Sequence, residues 1–108
     1  MPMPLLMLVS CRNASEARKI AQAVVAERLA ACASVMPCSS FFEWKCKRRW
    51  ENEALLLLKT TAARRRALAV RVAQLHSYAL PGIEWWNTGA ESRFAKWVAA
   101  STVRSAQH

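Results

Sequence analysis

The side chains able to do chemistry on a metal are few and unevenly spread. Cys11, Cys32, Cys38 and Cys46 are separated by 21, 6 and 8 residues, and His76 is the only histidine besides His108 at the last position. Thiolates and neutral imidazoles are the ligands that copper and zinc prefer. No CxxC or HxxxH pair accompanies them, which argues against a structural zinc site of the finger or ribbon type. Cys38 and Cys46 are the unusual pair: they could meet across a bend at Pro37 as a soft-metal or redox-sensitive site, or pack as apolar residues. His76 reads either as a metal ligand or as a cap on a helix C-terminus, bonding its last carbonyls. Nothing in the chain resembles an activated nucleophile or an acid/base pair, so no enzymatic reaction is expected.

Charge widens the choice of partners. Sixteen Lys and Arg against seven Asp and Glu give a formal charge of +9, and such a balance attracts polyanions. The strings KCKRR and RRR would suit nucleic acid. The Gly- and aromatic-rich pattern that gives RNA-recognition sheets their stacking platform is missing, so nucleic acid is not the expected partner and the charge reads as solvating surface. With 54% apolar residues, two glycines and four prolines, the chain should fold as one domain over residues 1–108, with 103–108 as a loose tail. No run approaches the roughly 18 to 20 apolar residues of a membrane span. The opening MPMPLLMLVSC resembles a lipoprotein cleavage box but lacks a basic start and a long apolar stretch, so it reads as a strand. Four reduced thiols and no export signal point to the cytoplasm.

The elements that must position these side chains follow from periodicity. Leu5 to Ser10 is a short apolar run expected as a strand buried on both faces. Asn13 or Ser15 can cap a helix whose stripe is Ala17, Ile20, Ala21, Val24, Val25 and Leu29. Cys32 to Trp50 alternates around Pro37 and suggests a bent or bulged strand, followed by the basic hairpin end KCKRRWEN and a strand from Glu53 to Lys59. Thr60 or Thr61 can cap a second helix running to Tyr78, with Ala67, Leu68, Val72 and Leu75 inside. Arg64, Arg65 and Arg66 oppose the dipole at its start and hint at an anion or acidic neighbour. A short edge strand after Pro81 and Gly82 precedes a last helix with Phe94, Trp97, Val98 and Ser101 on one face. The order is βαββαβ plus a helix: an α+β, ferredoxin-like sandwich, its antiparallel sheet covered by helices on one face. The other face stays open, and Trp44, Trp50, Trp85 and Trp86 call for cover by self-association.

Four blocks then look familiar. AERLAACASVMP, SFFEWKCKRRWENEALLLLKT, LHSYALP and FAKWV resemble, in order and spacing, the signature segments of the CutA divalent-cation tolerance family. The resemblance implies a ferredoxin-like subunit similar to the PII proteins, assembled as a homotrimer through long strands of neighbouring subunits. It also implies cytoplasmic residence, binding of copper or another divalent cation and no catalytic reaction; a PII-like module that docks on a protein partner is the alternative. Cys32 matches the family's cysteine in LAAC and could offer a thiolate to Cu(I). Trp44, Glu53, Lys59 and Tyr78 match positions lining an intersubunit cleft for a small anionic or metal-bearing ligand. Cys38 and Cys46 stand where the family has glycines, Phe42 and Phe94 where it has tyrosines, and Ala79 and Gly82 where HPYEVPE has glutamates. With those carboxylates gone, metal binding would rest on the cysteines and His76.

Overall fold

The computed structural model describes residues 3–103; the rest of the expected tail, with His108, lies outside the described residues. Strand β1 (Pro4–Cys11) lies inside the sheet between β3 (Lys47–Thr61) and β4 (Ile83–Asn87), and β2 (Cys32–Trp44) forms the opposite edge. All three pairings are antiparallel. Helices α1 (Ala14–Ala26) and α2 (Arg65–Leu75) supply the layer beneath, and α3 (Ser92–Ser101) closes the chain. This is the ferredoxin-like α+β arrangement.

Burial in β1 alternates. Leu5, Met7, Val9 and Cys11 are enclosed, meeting Ala54, Leu56 and Leu58 of β3 and Ala17, Ile20, Val24, Leu68 and Val72 of the helices in one core. Leu6 and Leu8 are only half-buried. A strand buried on both faces was the expectation; the core shared with α1 and α2 lies on one face only, and the leucines on the other stay half open.

Helix α1 starts as its sequence suggests. Asn13 Oδ1 accepts from the Glu16 N–H at 2.9 Å, and Glu16 Oε1 accepts in return from the Arg12 N–H, two otherwise orphaned donors satisfied at once. The helix ends in a Schellman motif, with the Arg28 N–H donating to the Val25 carbonyl and the Leu29 N–H to that of Val24. Arg28 takes the left-handed φ of 60° where glycine is usual. Its guanidinium donates to the carbonyls of Ala100 and Val103, tying this corner to the end of α3. Val25, expected inside, is exposed.

Strand β2 is neither bent nor bulged. Its register with β3 is unbroken from Cys32↔Lys59 to Trp44↔Lys47, through Pro37↔Ala54. An edge strand tolerates proline because one side of it needs no donor. β1 stops at Cys11, opposite Ala54, so from Cys38↔Glu53 outward only two strands remain. They form an arm of seven residue pairs, roughly 20 Å long, and the subunit measures 49 × 31 × 20 Å. Lys45 and Cys46 turn the arm with φ of 53° and 65°, the two-residue turn whose twist suits a hairpin. Phe41 and Trp50 pair across it with ring centres 5.1 Å apart.

The second helix begins later than expected. Thr61 makes no side-chain cap, a single 3₁₀ turn covers Ala62–Arg64, and Thr60 spends its hydroxyl on the Leu29 carbonyl at 2.7 Å. Among the described residues no acid answers the three arginines; Arg65 instead lies over Trp85, 4.8 Å from its ring centre. Leu68 and Val72 are buried, while Ala67 is exposed. In α3 the inward residues are Ala95 and Val98, with Thr102 just beyond; of the residues expected on one face, Val98 is buried while Phe94 and Trp97 are exposed, their tilted rings 5.6 Å apart.

Candidate functional site

Three donors of different chemistry converge where β1, α1 and the end of α2 meet. Cys11 ends β1, Glu16 sits in the first turn of α1, and His76 follows the last turn of α2. One ligand atom from each lies within 4.8 Å of the others. The His76 side chain is wholly enclosed. Its Nδ1 accepts from the Tyr78 N–H at 3.0 Å, so Nε2 carries the proton and donates to the Ser10 carbonyl at 2.6 Å.

Glu16 holds the mouth of the triad. Burial raises its pKa, but bonds from Ser77 and the Arg12 backbone, with the nearby His76, outweigh burial and keep the carboxyl below its ordinary value. Cys11 goes the other way: burial, then the charges of Glu16 and Glu53, pushes its thiol up to about 12. Sulfur, imidazole nitrogen and carboxylate oxygen suit a borderline cation such as copper or zinc, and the three are within reach of one ion. Such an ion would have to displace the thiol proton and take Nδ1 from the Tyr78 amide. The residues fit in type and spacing, with binding tied to proton release.

The sequence-derived metal set is dispersed. His76 belongs to the triad, but Cys32 pairs with Lys59 at the start of β2, Cys38 lies opposite Glu53, and Cys46 occupies the hairpin turn. Cys38 and Cys46 do not meet, because a straight strand puts roughly 20 Å between them. All four cysteines are free thiols. Cys11 and Glu16 were missed as ligands. The signal was a cysteine closing one strand and a glutamate five residues on in a capping turn, which becomes a site only when the end of α2 returns His76 to it.

A second feature is a cleft of about 540 Å³ between the arm and the loop after α2. It unites three of the four expected cleft residues, Trp44, Glu53 and Tyr78. The Tyr78 hydroxyl donates to Glu53 Oε2 at 2.7 Å; burial, then this bond, raises the phenol's pKa, so it remains a donor. Phe42, Lys45 and Arg49 also line the cleft, as do Ala79 and Gly82. Lys59 does not. It stands six positions along β3 from Glu53, with Nζ 5.4 Å from the Phe94 ring centre.

Sheet order, projecting hairpin and two-helix layer define a ferredoxin-like α+β subunit with a long arm. Residues 5–101 match the family model described as CutA1 divalent ion tolerance protein. Protein CutA of mouse is 41% identical over 71 residues, 65% of this chain and 40% of that protein. The divalent-cation tolerance protein CutA of Thermus thermophilus is 40% identical over 77 residues, 70% of this chain and 75% of that one. The solved structure of the divalent cation tolerance protein from Thermus thermophilus superposes with a TM-score of 0.89 at 33% identity, covering 94% of this chain and 100% of that one. This chain belongs to the CutA1 divalent ion tolerance family. It spans two fifths of the length of the mammalian relatives it matches. Among the described residues no helix is long and apolar enough to cross a membrane.

Proposed function

We propose that this chain is a non-catalytic, homotrimeric protein of divalent-cation tolerance that holds a borderline cation, copper foremost, at Cys11, Glu16 and His76. The observation that carries the reading is the convergence of three unlike donors within 4.8 Å. Thiolate, imidazole and carboxylate together favour copper or zinc over magnesium or calcium. Free thiols at all four cysteines suit a compartment that keeps them reduced, and we place the protein in the cytoplasm on that ground.

The trimer rests on a separate observation. On the sheet face away from the core of α1 and α2, Leu6, Leu8, Leu55 and Leu57 lie half-buried, and Met36 and Trp86 beside them are more than a third exposed. An isolated two-stranded arm is marginal in water unless something packs on it. The sheet's edges, β2 and β4, differ, and contact of one copy's β2 edge with the next copy's β4 edge is head-to-tail and can close a ring.

Native mass spectrometry of protein purified without added metal, then titrated with copper, tests both parts. The expected result is a trimer taking up one copper per subunit, with uptake lost in Cys11→Ser and in His76→Ala. A monomer at micromolar concentration would overturn the assembly, and undiminished uptake in Cys11→Ser would overturn the site.

A further inference from the structure

We propose that Tyr78 is a latch on the cation site, a role that rests on the reading of Cys11, Glu16 and His76 as its ligands. While the site is empty, the Tyr78 amide occupies the ligating nitrogen of His76. A cation that binds there expels the amide and loosens Tyr78 from the root of the arm.

The ligands differ in what they can share. A carboxylate oxygen has lone pairs to spare, so Glu16 can hold an ion and still accept the Ser77 N–H, now 2.9 Å from Oε2. An imidazole nitrogen has one lone pair in the ring plane. Nδ1 of His76 spends it on the Tyr78 N–H at 3.0 Å, and it cannot accept the amide and ligate an ion at once. The ring has no freedom to turn over. Its side chain is wholly enclosed, and Nε2 donates to the Ser10 carbonyl at 2.6 Å, the kind of bond that fixes a ligating imidazole from behind. The backbone of Tyr78 therefore has to give way.

The segment that gives way is short. Beyond His76 the chain is fixed again at Gly82, whose carbonyl accepts the Ser10 N–H at 3.1 Å, so the shift falls on residues 77–81. Within them Tyr78 is held by its amide, by its ring, 4.8 Å from the imidazole centre, and by its hydroxyl, which donates to Glu53 Oε2 at 2.7 Å. Glu53 pairs with Cys38, where the arm begins. Moving the amide away from His76 pulls on the phenol at Glu53. Conversely, whatever weakens the phenol's bond makes the amide easier to expel, because coupling between two sites is reciprocal.

Zinc, which has no redox chemistry, is the probe. It is titrated into the full chain in reducing, chelator-free buffer and followed by calorimetry and by amide hydrogen exchange in NMR. Saturating zinc should speed exchange of the Tyr78 amide at least tenfold, and that of Ser77 by clearly less, since Glu16 keeps its bond to Ser77. Tyr78→Phe changes no charge and removes the hydroxyl bonded to Glu53. It should unfold at lower urea yet bind zinc about three- to tenfold more tightly than the native chain; a merely structural hydroxyl would lower stability and leave affinity alone. Unchanged Tyr78 exchange in the zinc-bound chain, equal acceleration at Ser77 and Tyr78, or no gain of affinity in Tyr78→Phe would overturn the latch and leave the cation site standing. No zinc uptake, or uptake undiminished in Cys11→Ser, would overturn the cation site and the latch with it.

Discussion

Because the Cys11 thiol is enclosed, raising the pH should weaken the fold in a way that can be calculated. The thiol ionises near 9.0 in the unfolded chain and only near 12 in the folded one. A folded pKa above the unfolded value means that the native state holds the proton longer. The stabilisation is complete below pH 9 and is lost as pH climbs from 9 toward 12. The loss follows RT ln(1 + 10^(pH − 9)), so it is about 0.4 kcal/mol at pH 9 and about 1.4 kcal/mol at pH 10, then about 1.4 kcal/mol for each further unit. Urea unfolding from pH 7 to 10.5, at fixed protein concentration and with a chelator present, reads this directly. Tyrosine and lysine titrate in the same range, so the quantity to compare is the difference between the native chain and Cys11→Ser. That variant starts less stable at pH 7 but should fall more gently, closing the gap by about 1.4 kcal/mol at pH 10. Parallel profiles would refute the argument, because they would mean that the thiol ionises as readily folded as unfolded. At the proposed cation site the same proton would set the pH dependence: below pH 9 each copper ion bound as a thiolate complex should release one proton, and affinity should rise about tenfold per pH unit.

The turn offers a second measurement: Cys46 holds a φ of 65°, so Cys46→Gly should be about 1 kcal/mol more stable than Cys46→Ala in chemical denaturation, and equal stabilities would show that the turn is unstrained. Leu57→Glu, which puts a charge on the open face of the sheet, should give monomers in multi-angle light scattering where the native chain gives the proposed trimer, with the helix signal intact; equal masses for the two would refute an interface on that face. Arg28→Ala should cost about 1–2 kcal/mol through the two charged bonds that cap the end of α3, with hydrogen exchange accelerating at Ala99 to Thr102 first.

How much was legible in the sequence varied with how local the cause was. The Asn13 cap, the stripe Ala17, Ile20 and Val24, and the existence of a strand over Leu5 to Ser10 are fixed by neighbours within a turn or a strand, and they came through; the one-sided burial of that strand did not, because it depends on what packs on each face. Pro37 misled because proline bends only strands whose donor is needed, and whether β2 is an edge is a matter of topology. The arm was legible as length without direction, since the pairing of Lys47 to Asn52 with β2 alone depends on where β1 stops. In α3 the face drawn through Phe94, Trp97, Val98 and Ser101 is not the buried one, which runs through Ala95 and Val98, because helical spacing gives a stripe without saying which way the helix is turned. The triad was the hardest part. His76 could be singled out, yet its partners come from a strand end and a capping turn some sixty positions away, and only the packing of α2 on α1 unites them. In the cleft, Trp44, Glu53 and Tyr78 follow from family resemblance, whereas in the sequence Lys45 and Arg49 look like hairpin surface charge.

The unbroken register through Pro37 has a bearing on solubility. β2 offers thirteen residues of edge, long enough to template the stacking of further chains without limit. Proline has no N–H, and pairing with β3 continues undisturbed past it, so the missing donor falls on the outward side near the middle of the strand. A foreign strand could pair with the edge on either side of Pro37 but not run across it. In the unassembled subunit the edge is thus cut into two short lengths, which lowers its tendency to seed fibrils before the ring forms.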